Sequence, residues 1–189
     1  MENLLPALAL ALFLFYIVTY WRGGLSLVKS LRESVSAPDR VVLIILTLLM
    51  ILTIIHALIA VVTSADVLLP LPVWVVGIVL EIIGISGMFY SRSVLGKFWT
   101  AQTILRTDHQ VVDSSVYGIV RHPIYTSAIL TLLGLGLVFS TSIGLILMVL
   151  NIVGHFAKTA LEDRYLGENL SGYADYQKRV RFKLIPGVW

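Results

Sequence analysis

The sequence contains no cysteine, and charged residues fill only 13% of its 189 positions. The first absence excludes disulfides, a thiol nucleophile and any cysteine-ligated metal. The second argues against a water-soluble enzyme, because an average soluble domain is about 25% charged and roughly 45–50% apolar. Here 58% of the residues are hydrophobic. That figure also excludes a disordered chain, which needs low hydrophobicity and high net charge. There is no His-Glu-x-x-His, no carboxylate cluster on one helix face, and the four histidines are scattered, so no metal set is expected. No internal repeat is evident. No polar segment is long enough for a doubly wound nucleotide-binding domain.

What is present is a series of apolar runs near the length of about 20 residues that a helix needs to cross a bilayer. They cover residues 4–21, 41–63, 72–90, 124–139 and 143–160. The expected fold is therefore all-α: one integral membrane domain over 1–189, a bundle of five transmembrane helices. The first run is read as a mature helix rather than a signal peptide, since Glu2 precedes it without Lys or Arg and no small-residue cleavage site follows. All 14 Lys and Arg residues fall between helices one and two, between helices three and four, or from Lys158 onward. The connectors 64–71 and 140–142 have none. The positive-inside rule then sets the N-terminus outside and the C-terminus in the cytoplasm. Leu25, Val28, Leu31 and Val35, with Lys29 and Arg32, suggest a short amphipathic helix at the cytoplasmic interface. Gly84 with Gly87, and Gly134 with Gly136, suit close helix packing.

The remaining polar residues are few enough to follow singly. Asn151, His155, Lys158 or Thr159, and Glu162 recur at spacings of three and four, so they share one face of helix five. Polar groups at membrane depth usually face a bundle interior or a wet cavity; the alternatives are bonding to neighbouring helices and snorkelling. Residues 117–125 read Tyr-Gly-Ile-Val-Arg-His-Pro-Ile-Tyr. Pro123 fits the first turn of helix four, so Arg121 and His122 precede a helix N-terminus, a natural anion site, or act as flank anchors. Glu81 and His56 stand alone in helices three and two, and either lines a cavity or bonds a neighbouring helix. Asp108 and His109 lie in the cytoplasmic loop.

Arg121-His122-Pro123-Ile124-Tyr125, preceded by Tyr117-Gly118, resembles the Arg-His-Pro-x-Tyr signature of isoprenylcysteine carboxyl methyltransferases and their phospholipid methyltransferase relatives. Glu162-Asp163 is similar to the acidic pair of that family. Tyr173-Ala174-Asp175-Tyr176, and Val180 followed by Ile185-Pro186, are similar to its Tyr-x-x-Tyr and Val…Pro pattern. Leu95-Gly96-Lys97-Phe98-Trp99 also resembles a family segment, so the resemblance covers a core of about 95–189. Departures are Ser115-Val116 for Gly-Pro and Asp163 for the second Glu, and the stretch between Glu162 and Tyr173 is about one residue short.

The resemblance implies an S-adenosylmethionine-dependent methyltransferase, with S-adenosylhomocysteine as product. Its cofactor pocket would lie between the last two helices, capped by the cytoplasmic loop and the tail. A prenylcysteine substrate would come sideways from the bilayer, and the site would face the cytoplasm. Arg121 is expected to orient the substrate carboxylate through two parallel hydrogen bonds. Glu162 is expected to hold Arg121 or the amino group of the cofactor. His122, Pro123, Tyr125, Asn151 and His155 would line the pocket, Tyr117, Gly118 and Val120 would offer backbone groups, and Val112 an apolar contact. The alternatives are a phospholipid N-methyltransferase and a non-enzymatic membrane binding protein.

Overall fold

The computed structural model describes residues 4–22, 36–99, 105 and 108–189. Six α-helices follow in chain order: α1 (Leu4–Arg22), α2 (Ala37–Thr63), α3 (Leu71–Leu95), α4 (Pro123–Val138), α5 (Ser142–Asn169) and α6 (Tyr173–Arg179). Short 3-10 turns cover Gly96–Phe98 and Ser115–Gly118. Among the described residues there is no strand, as the all-α expectation requires. The expected interfacial helix around Leu25 to Val35 lies outside the described residues.

Three helices are long and apolar enough to cross a membrane by length and composition: α2, α3 with its 3-10 extension, and α5. The apolar parts of α1 and α4, Leu4–Thr19 and Pro123–Val138, are shorter. Large apolar side chains face outward along the bundle, including Phe15, Ile44, Leu48, Ile83 and Val153. That is the pattern of a multi-pass membrane protein, whose lipid-facing surface needs no charge.

Local chemistry sets the helix limits. Ser36 caps α2 by accepting from Asp39 N at 3.2 Å, and Pro38 occupies its first turn, where a missing N–H costs nothing. Thr141 caps α5 by accepting from Gly144 N at 3.0 Å. α5 runs to Asn169, beyond the expected end at 160. Asn151, Lys158, Glu162 and Asp163 bond sideways to other elements, while His155 and Thr159 bond back along α5, so none of them breaks the helix.

α4 sits at the centre, packed most extensively on α3 and also on α1 and α5, while α2 packs on α5. The α3–α4 approach is nearly backbone on backbone. A Cβ at Gly77 would lie 2.7 Å from Gly134 O, and one at Gly84 would lie 2.6 Å from Ser127 O. Around this seam Phe13, Tyr16, Ala57, Ile78, Met88, Leu132 and Val138 form the main core. A second, smaller core of Leu170, Tyr173, Tyr176 and Val180 joins the tail to Val111 and Leu166.

The two connectors that lack basic residues meet at one end of the bundle. Leu68 N donates to Ser140 O at 2.9 Å, Leu69 N to Ser140 Oγ at 3.1 Å, and His56 Nε2 pairs with Thr141 Oγ1 at 2.7 Å. His56 is thus a bond to the neighbouring hairpin. Glu81 is fully enclosed beside Gly134, and neither carboxyl oxygen has a hydrogen-bond partner among the described residues.

Candidate active site

The site is built where the start of α4, the last turns of α5 and the tail converge. Arg121 anchors it. Its Nε and Nη2 donate to the two oxygens of Asp163 at 2.8 and 2.9 Å. Its Nη1 donates to Val180 O at 2.6 Å and Arg181 O at 2.9 Å. The adjacent backbone follows suit: Arg121 N donates to Phe182 O and His122 N to Lys183 O, both at 2.9 Å. One buried arginine, 7% exposed, thereby ties the loop, α5 and the tail together. The planar fork suits this geometry, and a lysine would not supply it. Burial works against the Arg121 charge, but the bonds and attraction to Asp163 outweigh it and push its pKa up.

Asp163 collects further donors. His122 Nε2 lies 3.1 Å from Oδ1, Tyr173 OH donates to Oδ1 at 3.2 Å, and Gln177 Nε2 to Oδ2 at 3.3 Å. Tyr176 OH donates to Tyr117 O at 2.7 Å, and Tyr117 OH to Ser91 O at 3.3 Å. Burial pushes the phenols of Tyr117, Tyr173 and Tyr176 up, so they remain protonated donors.

Here the structure corrects an expectation: Asp163, not Glu162, holds Arg121. Successive residues on a helix point about 100° apart, so only one of the acidic pair can face Arg121. Glu162 instead accepts from Tyr125 OH at 2.6 Å. The parallel donor pair of Arg121 expected to orient a substrate carboxylate is likewise engaged by Asp163.

A different group of expected residues comes together around Tyr125. Its ring lies 6.0 Å from that of His122 and meets that of His155 edge-on at 6.2 Å. The partners fix one ring proton on each histidine. A carboxylate only accepts, so His122 Nε2 carries the proton of its contact with Asp163. Its Nδ1 lies 3.9 Å from Glu162 Oε1, too far for a direct bond. His155 Nδ1 faces Asn151 O at 2.8 Å; a carbonyl also only accepts, so Nδ1 carries a proton there. The surroundings of Tyr125 thus combine two imidazole rings with the Glu162 carboxylate, and the carboxylate suits a cation.

Other expected residues lie elsewhere. Asn151 is fully buried but turns to α2, donating to Thr53 Oγ1 at 3.2 Å and Leu147 O at 2.8 Å. Val120 is buried and Pro123 begins α4. Val112 is half-buried in the loop, and Gly118 is exposed at the end of the 3-10 turn. Lys158 also turns to α2, where its Nζ meets Asp39 Oδ1 at 2.5 Å. Asp39, Thr53 and Gln177 carry no motif and are not among the expected site residues; in the sequence Asp39 reads as an ordinary first-turn acid of α2.

Among the described residues no group of three or more His, Asp or Glu could hold a metal ion. Residues 75–168 match a family model described as the isoprenylcysteine carboxyl methyltransferase (ICMT) family. The match takes in Arg121, His122, Tyr125, His155, Glu162 and Asp163 and stops before Tyr173. A cobalt-zinc-cadmium resistance protein, CzcN, of Cupriavidus metallidurans is 31% identical over 109 residues, which cover 57% of this chain and 49% of that protein. The match thus spans about half the length of this curated relative.

Proposed function

The chain belongs to the isoprenylcysteine carboxyl methyltransferase family by its match over residues 75–168, and from that premise we propose that it methylates the C-terminal carboxylate of a prenylated cysteine. The methyl donor is S-adenosylmethionine, which supplies an electrophilic methyl group on a sulfonium. A C–O bond forms, the C–S bond breaks and its electron pair stays on sulfur. A carboxylate is already ionised near neutral pH, so no general base is needed. Opposite charges on donor and acceptor are both extinguished, which an apolar, water-poor setting favours over water.

The observation that supports this reading is the Glu162 carboxylate bonded to Tyr125 between the rings of His122 and His155. S-adenosylmethionine carries a sulfonium and an ammonium. The Glu162 carboxylate, bonded to Tyr125 and flanked by the rings of His122 and His155, gives such a cation a counter-charge. Tyr125 holds Glu162 in place. Arg121 acts as a positioning residue that fastens the tail over this set, while Val112, Tyr117, Gly118 and Val120 belong to the loop that would cover the cofactor. Fixing both reactants in such a pocket gains on the order of 7–11 kcal/mol from orientation and avoided solvent reorganisation. The site faces the cytoplasm and the lipidated substrate reaches it from the bilayer.

The deciding experiment is transfer of a radiolabelled methyl group from S-adenosylmethionine by purified protein in lipid. N-acetyl-S-farnesylcysteine and phosphatidylethanolamine are offered separately. Base-labile label on the farnesylcysteine alone is expected. Label on the phospholipid alone, or on neither, overturns the reading.

A further inference from the structure

Charged residues recur along the tail as far as Lys183, and then the chain reads Leu-Ile-Pro-Gly-Val-Trp over 184–189 without a charge. We infer that the turn Leu184–Trp189 is a membrane anchor, seated in the headgroup region of the bilayer, and that it holds the tail against the Arg121–Asp163 cluster.

Two contacts set its depth. Thr126, in the first turn of α4, donates from Oγ1 to Leu184 O at 2.8 Å, and Leu184 itself is fully buried. The Trp189 ring lies 5.0 Å from that of Phe156 on α5. Phe156 follows Ile146, Val149 and Val153, which face outward from α5 at spacings of three and four. The turn therefore lies level with the ends of two apolar helical stretches, where the hydrocarbon layer gives way to headgroups.

Its surface continues the outward apolar row. Val188 is 75% exposed and Ile185 40%. Lys183 Nζ stands 4.4 Å over the Trp189 ring and 3.8 Å from Asp163 Oδ2. Tryptophan is enriched at membrane–water interfaces, where its amphipathic ring sits at headgroup level, and a lysine beside it keeps its charge on the wet side. The turn is also prebuilt. Leu184 N and Ile185 N donate to Trp189 O at 2.9 and 3.0 Å, and Gly187 supplies the left-handed backbone, φ 81°, that closes it. These bonds satisfy backbone groups that an apolar layer would leave without water. The anchor begins three residues after Arg181, whose carbonyl, with that of Val180, accepts from Arg121. The tail is thus fastened by Arg121 on one side and by the bilayer on the other.

The test uses the cysteine-free background. Val188→Cys, Val153→Cys and Asp175→Cys each carry a nitroxide in the full-length protein in nanodiscs. Electron paramagnetic resonance reads collisions with oxygen, which concentrates in the bilayer, and with a nickel chelate, which stays in water. Val188 is expected to meet oxygen more than the chelate, as lipid-facing Val153 does. The reverse order, as at exposed Asp175 on α6, overturns the anchor. The holding role has its own readout. In Val188→Glu, which alters an exposed position and no packing, the amides of Leu184 and Ile185 should exchange hydrogen roughly tenfold faster in nanodiscs, the scale of one lost apolar burial. Unchanged exchange overturns the holding role.

Discussion

At the scale of single residues, the acidic pair on α5 divides its labour. Asp163 is committed to Arg121, His122, Tyr173 and Gln177, so it is a structural anion. Glu162 accepts from the Tyr125 hydroxyl and is half-buried. Asp163→Asn removes one partner of a buried pair, which typically costs about 3–5 kcal/mol; thermal unfolding in detergent should show a large loss. Glu162→Gln should leave that transition nearly unmoved. It should weaken S-adenosylhomocysteine binding by roughly tenfold or more in calorimetry, the loss of one charged hydrogen bond. Equal thermal effects of the two changes would contradict this division. The sequence made the Arg121-His122 pair legible through its motif. It could not show which acid faces Arg121, because the partner is 42 positions away and depends on how α5 is rotated about its axis. Asp39 was illegible for the same reason: a first-turn acid looks like an ordinary helix cap until α2 is docked on α5.

At the scale of elements, the glycines of α3 and α4 set the distance at which the α4–α5 hairpin is mounted. A Cβ at Gly84 would stand 2.6 Å from Ser127 O and Thr131 N, and one at Gly134 would stand 2.7 Å from Glu81 N. These neighbours are backbone and cannot step aside. Gly84→Ala and Gly134→Ala should each cost about 1–3 kcal/mol, the usual penalty of overpacking, read as a lowered thermal midpoint. Gly167→Ala is the contrast. Its Cβ would meet only the end of the Gln177 side chain, at 3.2 Å, and alanine favours a helix by about 0.5–1 kcal/mol over glycine. It should be neutral or mildly stabilising. A uniform response at all three positions would show that the seam is not close-packed. The apolar runs gave these helices away in the sequence, and their small residues announced close packing. The end of α5 was less legible, because a polar stretch after an apolar one looks like the end of a span whether or not the helix continues.

At the scale of the whole molecule, the question is how many helices cross. α2, α3 and α5 meet the length requirement and α4 is shorter, yet the loop contacts bear on α4. The connector before α3 and the turn between α4 and α5 are bonded to each other through Leu68, Leu69 and Ser140. The start of α4 is bonded instead to the tail. α4 thus runs between the same two ends as α3, and residues 139–141 and 121–122 complete the distance. A crossing α3 then requires a crossing α4. Leu4 and Leu5 line a cleft with Ser64, Asp66 and Leu71, so the start of α1 belongs to the end that lacks basic residues. The absence of cysteine makes this testable without background. Leu4→Cys and Asp66→Cys should react with a membrane-impermeant maleimide from the same side of sealed vesicles, and Lys178→Cys only from the other. Five crossings with a cytoplasmic tail require, by the positive-inside rule, that Lys178→Cys label in inside-out vesicles. Labelling of Asp66→Cys and Lys178→Cys from one common side would leave an even number of crossings between them, and the five-helix topology would have to be abandoned.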